Sequence, residues 1–177
     1  TLLRNDKTIS ACTMSALAEC RKRGLLIGVS TSRSEANCMT FLQKLQPDLL
    51  ISSGGALARY KETYICREDF SEEETARMIS AARSVCGEEC EITVDTPEGH
   101  FWNYKQDPLK TDPSWGGSIY TDFRDFSHRS LKMCVEIFCP EQVERLKNLL
   151  PDCDCARFSD GEWYKFTKKT ATKERAI

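Results

Sequence analysis

Leu25-Leu-Ile-Gly-Val-Ser-Thr-Ser-Arg33 (LLIGVSTSR) opens as an apolar run and then breaks into hydroxyls and a base. An unalternating run of that kind predicts a strand over 25–29, buried on both faces of a parallel sheet. Its neighbours extend the pattern. A helix over 34–45 carries Phe41, Leu42 and Leu45 on one side, and after Gln46-Pro47-Asp48 a second buried strand runs from Leu49 to Ser52. Upstream, Met14, Leu17 and Cys20 recur at helical spacing between Ser10 and Arg23, and Gly24 supplies the left-handed residue on which helices end. Helix, strand, helix, strand predicts a doubly wound α/β layer.

Beyond Ser53-Gly54-Gly55 the rhythm changes. Residues 56–60 and 64–66 flank Lys61-Glu-Thr63 as a hairpin would, and Ser71-Glu-Glu-Glu74 is a capping box opening a helix with Met78, Ile79, Ala82 and Val85. Strands over 91–94 and 101–104 bracket the turn Thr96-Pro-Glu-Gly99. The stretch 105–129, with Pro108, Pro113 and Gly116-Gly117, is expected to lack regular structure. An alternating strand over 131–138, a helix over 141–150 and a hairpin of 153–158 with 163–167 around Asp160-Gly161 complete an antiparallel sheet with helices on one face. Thr172 to Ile177 reads as the start of a further helix, so this α+β module is expected as an insertion into the α/β layer.

Composition narrows the function. A net charge of −2 over 177 residues provides no basic field for nucleic acid or an anionic membrane, so any anion site must be local. No signal-peptide h-region or membrane-length apolar run is present, and a soluble cytoplasmic protein is expected. The ten cysteines lack the C-x2-C spacing of a zinc knuckle and read as free thiols. His100 and His128 have no partner pattern and are expected in surface or structural roles. Trp102, Trp115 and Trp163 are expected to serve packing.

Ser30 to Ser34 lies where open α/β sheets bind ligands, beyond the carboxyl end of a strand and at the start of the next helix. Ser32 with Glu35 fits a capping box that occupies the Ser32 hydroxyl and leaves Thr31 facing a ligand. Free helix amides, the positive end of the dipole, Thr31 and Arg33 together suit a phosphate, although a plain N-cap beside a solvated arginine would leave the same sequence trace.

Four segments, in order, carry a resemblance. Thr1 to Ser10 resembles the stretch after the nucleophile motif D-x-D-G-T-L-L in Cof-type phosphatases of the haloacid dehalogenase (HAD) superfamily. Val29-Ser-Thr-Ser-Arg33 is similar to that family's A-T-G-R segment, Ile51-Ser-Ser-Gly-Gly-Ala-Leu57 to I-S-x-N-G-A-L, and Thr172-Lys-Glu-Arg-Ala-Ile177 to S-K-G-x-A-L. Ser32 stands where the family has Gly, and Gly54 where it has Asn.

The resemblance implies a partial Rossmann-like HAD core over 1–62 and 165–177 with an α/β cap inserted over 63–164. It implies a phosphatase of small phosphorylated metabolites, sugar phosphates foremost, working through an aspartyl phosphate with Mg2+. On matched positions Thr31 and Lys173 would be catalytic, Thr31, Ser32 and Lys173 would hold the phosphate, and Arg33, Gly54 and Gly55 would border the substrate. Lys165, Lys168 and Lys169 are rivals to Lys173, which is preferred for its register with Ala176-Ile177. The family's nucleophile and its Mg2+ carboxylates fall outside the matched segments, so these 177 residues alone are expected to be inactive and to bind no metal. A phosphosugar mutase with the same cap and a non-catalytic binding module are the alternatives.

Overall fold

The computed structural model describes every residue except 1, 5, 7, 111, 113, 114, 116, 160 and 177. The first layer is a four-stranded sheet in the order β1-β2-β3-β4, formed by Gly28–Ser30, Leu49–Ser52, Leu57–Tyr60 and Thr63–Arg67. β1 and β2 are parallel, with Gly28 opposite Leu49, whereas β3 and β4 return antiparallel around Lys61, which holds a φ of 52°. Helices α1 (Ala11–Lys22) and α2 (Glu35–Leu42) cover one face, where Ile27, Cys38, Leu42, Leu45 and Leu50 close a core against Met14 and Leu17. Ser10 caps α1 by accepting the Thr13 amide at 3.0 Å, and Gly24 follows its end with a φ of 80°.

The expected buried strand over 25–29 is shifted. Leu25 and Leu26 are 57% and 64% exposed, and the ladder begins only at Gly28. They belong to the connector after Gly24, and β1 is the outermost strand of its sheet, so of the run Ile27 is buried in the core and Val29 packs against it only partly buried. Asp48 ties that residue down by accepting the Ile27 amide at 2.8 Å.

The second layer is a six-stranded sheet in the order β7-β6-β5-β8-β10-β9. Its strands are β5 (Ile92–Asp95), β6 (His100–Trp102), β7 (Ser118–Tyr120), β8 (Lys132–Glu136), β9 (Cys153–Arg157) and β10 (Trp163–Lys168). Helices α3 (Glu72–Cys86) and α4 (Pro140–Leu149) pack together on one face over Ile92, Val94, Met133, Val135 and Phe166. The Ser71 and Glu74 capping box is complete in both directions. Within 105–129 the expectation of no regular structure is corrected: β7 pairs parallel with β6, and 108–110 form a 3-10 turn. Proline and glycine there punctuate a crossover that returns to the sheet edge. Pro113 and Gly116 lie outside the described residues.

The chain enters the second sheet through 68–70 and leaves it after Lys168. Ala171 then packs with Ala56, Leu57 and Leu131, and Ala176 with Ile51 and Ala58, so the end of the chain rejoins the first sheet and the six-stranded module is an insertion. The expected terminal helix is instead a single turn over 173–176, closed by the Ala176 amide on the Thr172 carbonyl at 3.2 Å. Its last expected residue, Ile177, lies outside the described set. At the entrance Phe70 bridges to Ser130, and Asp69 accepts from Arg67 and Arg129 at 2.6 and 2.9 Å. The Arg129 hydrogen bond, with help from Arg67, outweighs burial and holds the Asp69 carboxyl at about 2.

Candidate functional site

The turn after β1 is locked to the turn after β2. Gly54 donates its amide to the Thr31 carbonyl at 3.2 Å, Ser53 donates to the Arg33 carbonyl at 2.7 Å, and Thr31 donates to the Ile51 carbonyl at 2.9 Å. The helix starts within a residue of its expected position, but the capping residue is corrected: Ser34, not Ser32, caps α2 by accepting the Asn37 amide at 3.1 Å. Glu35 closes no box, because its carboxylate takes the Arg59 Nε at 2.7 Å and the Tyr64 hydroxyl at 3.1 Å. Guanidinium and phenol donors satisfy that carboxylate better than one backbone amide would. The Thr31 hydroxyl, expected to be unoccupied, accepts the Arg33 amide at 3.1 Å; its own proton stays available for donation.

The second sheet lies over this pair of turns, and strand pleating decides what it presents. Ile92 and Val94, Phe101, Met133 and Val135, and Phe166 face the helices. The alternate residues make rows on the other face. In one row His100 stands opposite Asp95 and Asp95 opposite Lys132; in the next Trp102 stands opposite Thr93, Thr93 opposite Cys134, and Cys134 opposite Lys165.

Asp95 is fully buried and saturated. It takes His100 Nδ1 at 2.7 Å, Lys132 Nζ at 2.8 Å and the Ser53 hydroxyl at 2.9 Å. Lys132 also donates to the Ser32 carbonyl at 2.7 Å, so one buried ion pair joins the inserted sheet to both turns of the first sheet. Burial alone would push the Asp95 carboxyl up, but Lys132 and His100 outweigh it and hold that carboxyl well below its ordinary value. Burial likewise presses on the Lys132 ammonium, and the Asp95 charge overcomes it and keeps the pKa above the usual lysine value.

Between turns and sheet lies a cavity of about 350 Å³, within the size range of small-ligand pockets. Thr31, Ser32 and Arg33 form its floor, and Thr93, His100, Trp102 and Trp163 its roof. The Arg33 guanidinium lies 5.0 Å from the Phe41 ring and 5.5 Å from Trp115. Cys134 also lines the cavity, and burial pushes its thiol up, so it is a neutral wall.

Of the residues singled out from the sequence, Thr31, Ser32 and Arg33 line the cavity, while Gly54 and Gly55 lie buried beside it in the adjoining turn. Gly55 has a φ of 111°, and a Cβ there would stand 2.4 Å from the Thr172 carbonyl carbon and 2.7 Å from the Lys173 nitrogen. Lys173 therefore reaches the group through its backbone and is not itself a cavity wall. Lys165 Nζ stands 3.6 Å from where a Gly54 Cβ would be. Lys132 and Asp95 escaped the sequence reading, and of the surface or structural roles expected for His100 the structure gives it a buried one, at 3% exposed. Their signal was the pleat: T-x-D, H-x-W, K-x-C and W-x-K put every second residue of four strands on one face. The three tryptophans, expected in packing, all border the cavity.

Among the described residues no group of three His, Cys, Asp or Glu is placed to hold a cation, so the residues present do not fit the Mg2+ that the resemblance implies. All ten cysteines are free thiols. Among the described residues no helix is long and apolar enough to cross a membrane.

A family model described as haloacid dehalogenase-like hydrolase matches residues 1–177. No curated protein matches the sequence. Among solved structures, a haloacid dehalogenase-like hydrolase from B. subtilis superposes with a TM-score of 0.80 at 18% identity, covering 99% of this chain and 73% of that one. A HAD subclass IIB sugar phosphatase gives 0.79 at 20% identity, over 100% and 70%. A haloacid dehalogenase-like hydrolase from Bacteroides thetaiotaomicron gives 0.79 at 13%, over 99% and 70%. At these identities the superpositions speak for the fold.

Proposed function

We propose, from the premise that this chain belongs to the haloacid dehalogenase-like hydrolase family, that it provides the phosphate turn and the substrate cavity of a phosphatase acting on small phosphorylated metabolites, with sugar phosphates the first class to test. The observation that carries this reading is the placement of the Thr31-Ser32-Arg33 turn, at the carboxyl end of a parallel strand and the start of α2, on the floor of the cavity. Amides at the helix start and the positive end of its dipole favour a dianion there. Thr31 donates its hydroxyl proton to a phosphoryl oxygen, Ser32 offers its amide, and Lys173 balances charge from the loop behind Gly55. Arg33, Gly54 and Gly55 border the bound group.

In this reading the first sheet with 171–176 is the core and the six-stranded sheet its cap, with the changeover between β4 and α3 and again after β10. Hydrolysis through an aspartyl phosphate with Mg2+ would take its nucleophile and its metal ligands from groups other than these residues. Their own share is binding and charge balance. The gene product, assayed with Mg2+ against a panel of sugar phosphates and an aryl phosphate, is expected to release inorganic phosphate, more slowly after Thr31→Ala. Silence across the panel would overturn the reading in favour of a binding module.

A further inference from the structure

We infer that the cavity under the inserted sheet selects a leaving group that is an aromatic ring, and that His100 Nε2 accepts a hydrogen bond from a hydroxyl or N–H on that ring. The inference rests on the phosphatase reading for the position of the phosphate and deepens it by naming what the phosphate is attached to.

The walls set the shape. Trp102 and Trp163 meet at 87° with centroids 5.8 Å apart, and Trp115 lies 5.5 Å from Trp102. A flat ring lying on either indole meets the edge of the other, and both arrangements are favourable for aromatic pairs. A dry space of about 150 Å³ holds a benzene, so a cavity of about 350 Å³ accommodates one ring with its phosphate.

The polar groups offer a polyol no free carboxylate. Each sugar hydroxyl brought out of water needs a partner, and carboxylates are the strong acceptors for it. No Asp or Glu is among the described lining residues, and the nearest carboxylate, Asp95, is consumed by three donors. Two buried lining atoms, Arg33 Nη1 and His100 Nε2, have no hydrogen-bond partner among the described residues, and the first belongs to the turn that takes the phosphate. The His100 side chain is 4% exposed, and Nε2 has no hydrogen-bond partner among the described residues. Nδ1 faces the Asp95 carboxylate at 2.7 Å, and the tautomer that donates to it leaves the Nε2 lone pair as an acceptor on the far side of the ring. Trp115, stacked on the imidazole at 22°, fixes its plane.

The test is calorimetric titration of the gene product, without added divalent ions, with 4-hydroxyphenyl phosphate, phenyl phosphate, glucose 6-phosphate and inorganic phosphate. The expected order is 4-hydroxyphenyl phosphate tightest, at least about tenfold ahead of glucose 6-phosphate, which corresponds to about 1.4 kcal/mol. His100→Asn keeps a donor for Asp95 and removes Nε2; it should erase the advantage of the hydroxylated ring over phenyl phosphate, and an advantage that persists in the variant would overturn the role of Nε2. Glucose 6-phosphate binding as well as or better than both aryl esters would overturn the inference and leave the phosphate turn standing. Failure of all four to bind would overturn the phosphate reading and this inference with it. The comparison among ligands on the unaltered protein decides the ring class even where a variant does not fold.

Discussion

Asp95 and Lys132 stand directly opposite one another on β5 and β8, 2.8 Å apart and almost completely out of solvent, and through Ser53 and the Ser32 carbonyl they fasten the inserted sheet to the first. A buried pair of this kind matters most when it is broken from one side, because the surviving charge is left desolvated.

Asp95→Asn and Lys132→Met should each cost about 3–5 kcal/mol, whereas the double change should cost much less than their sum. Urea unfolding of the two single variants and the double variant measures the coupling. Additive losses would show that the pair does not act as a unit.

Asp69 gives a pH signature. Its folded pKa of about 2 lies below the ordinary 3.8, so its stabilisation is fully present above the unfolded value and is lost as pH falls from about 4 toward 2. Asp95, depressed further, adds to the loss at the acid end. Stability measured between pH 5 and pH 2 should fall less steeply in Asp69→Asn than in the wild type.

Gly55→Ala should be far more damaging than Gly24→Ala. Both glycines hold positive φ, but a Cβ at Gly24 meets open space, whereas at Gly55 it strikes the Thr172 and Lys173 backbone. The expected costs are about 1 kcal/mol at Gly24 and at least about 2–3 kcal/mol at Gly55, where the loop must also move. Thermal unfolding of the two variants makes the comparison.

Thr31→Ala removes a neutral donor and should slow turnover by about 10–100-fold; Lys173→Ala leaves developing charge unbalanced and should slow it by about 10³-fold. Thr31→Ser should retain most of the rate. Steady-state kinetics of the gene product with Mg2+ tests all three, and wild-type rates in the two alanine variants would remove both assignments.

Much of the architecture was legible because it is written locally. Ser71 with Glu74, and Gly24 after a basic helix end, each state their own conformation within a few residues; the expected Asp160-Gly161 turn falls partly outside the described residues. Several misreadings also have a local cause. Ser32 and Ser34 are both acceptable caps by sequence, and the choice fell to Ser34 once Glu35 found Arg59 and Tyr64, 24 and 29 residues away. The Leu25-Leu26 pair looked buried because hydrophobicity does not say where a ladder begins. The site was half legible. Thr31 to Arg33 announce themselves by position after a strand, but the His100, Asp95 and Lys132 row exists only after three strands have paired, and pairing partners 37 residues apart leave no trace in spacing.

The pleat of the inserted sheet separates two kinds of evolutionary freedom. Val94, Met133, Val135 and Phe166 are committed to the helices, while the residues interleaved with them, Thr93, Trp102, Cys134 and Trp163, line the cavity. A descendant of this chain can therefore exchange one set to acquire a new taste in ligands while the other set goes on specifying the same scaffold.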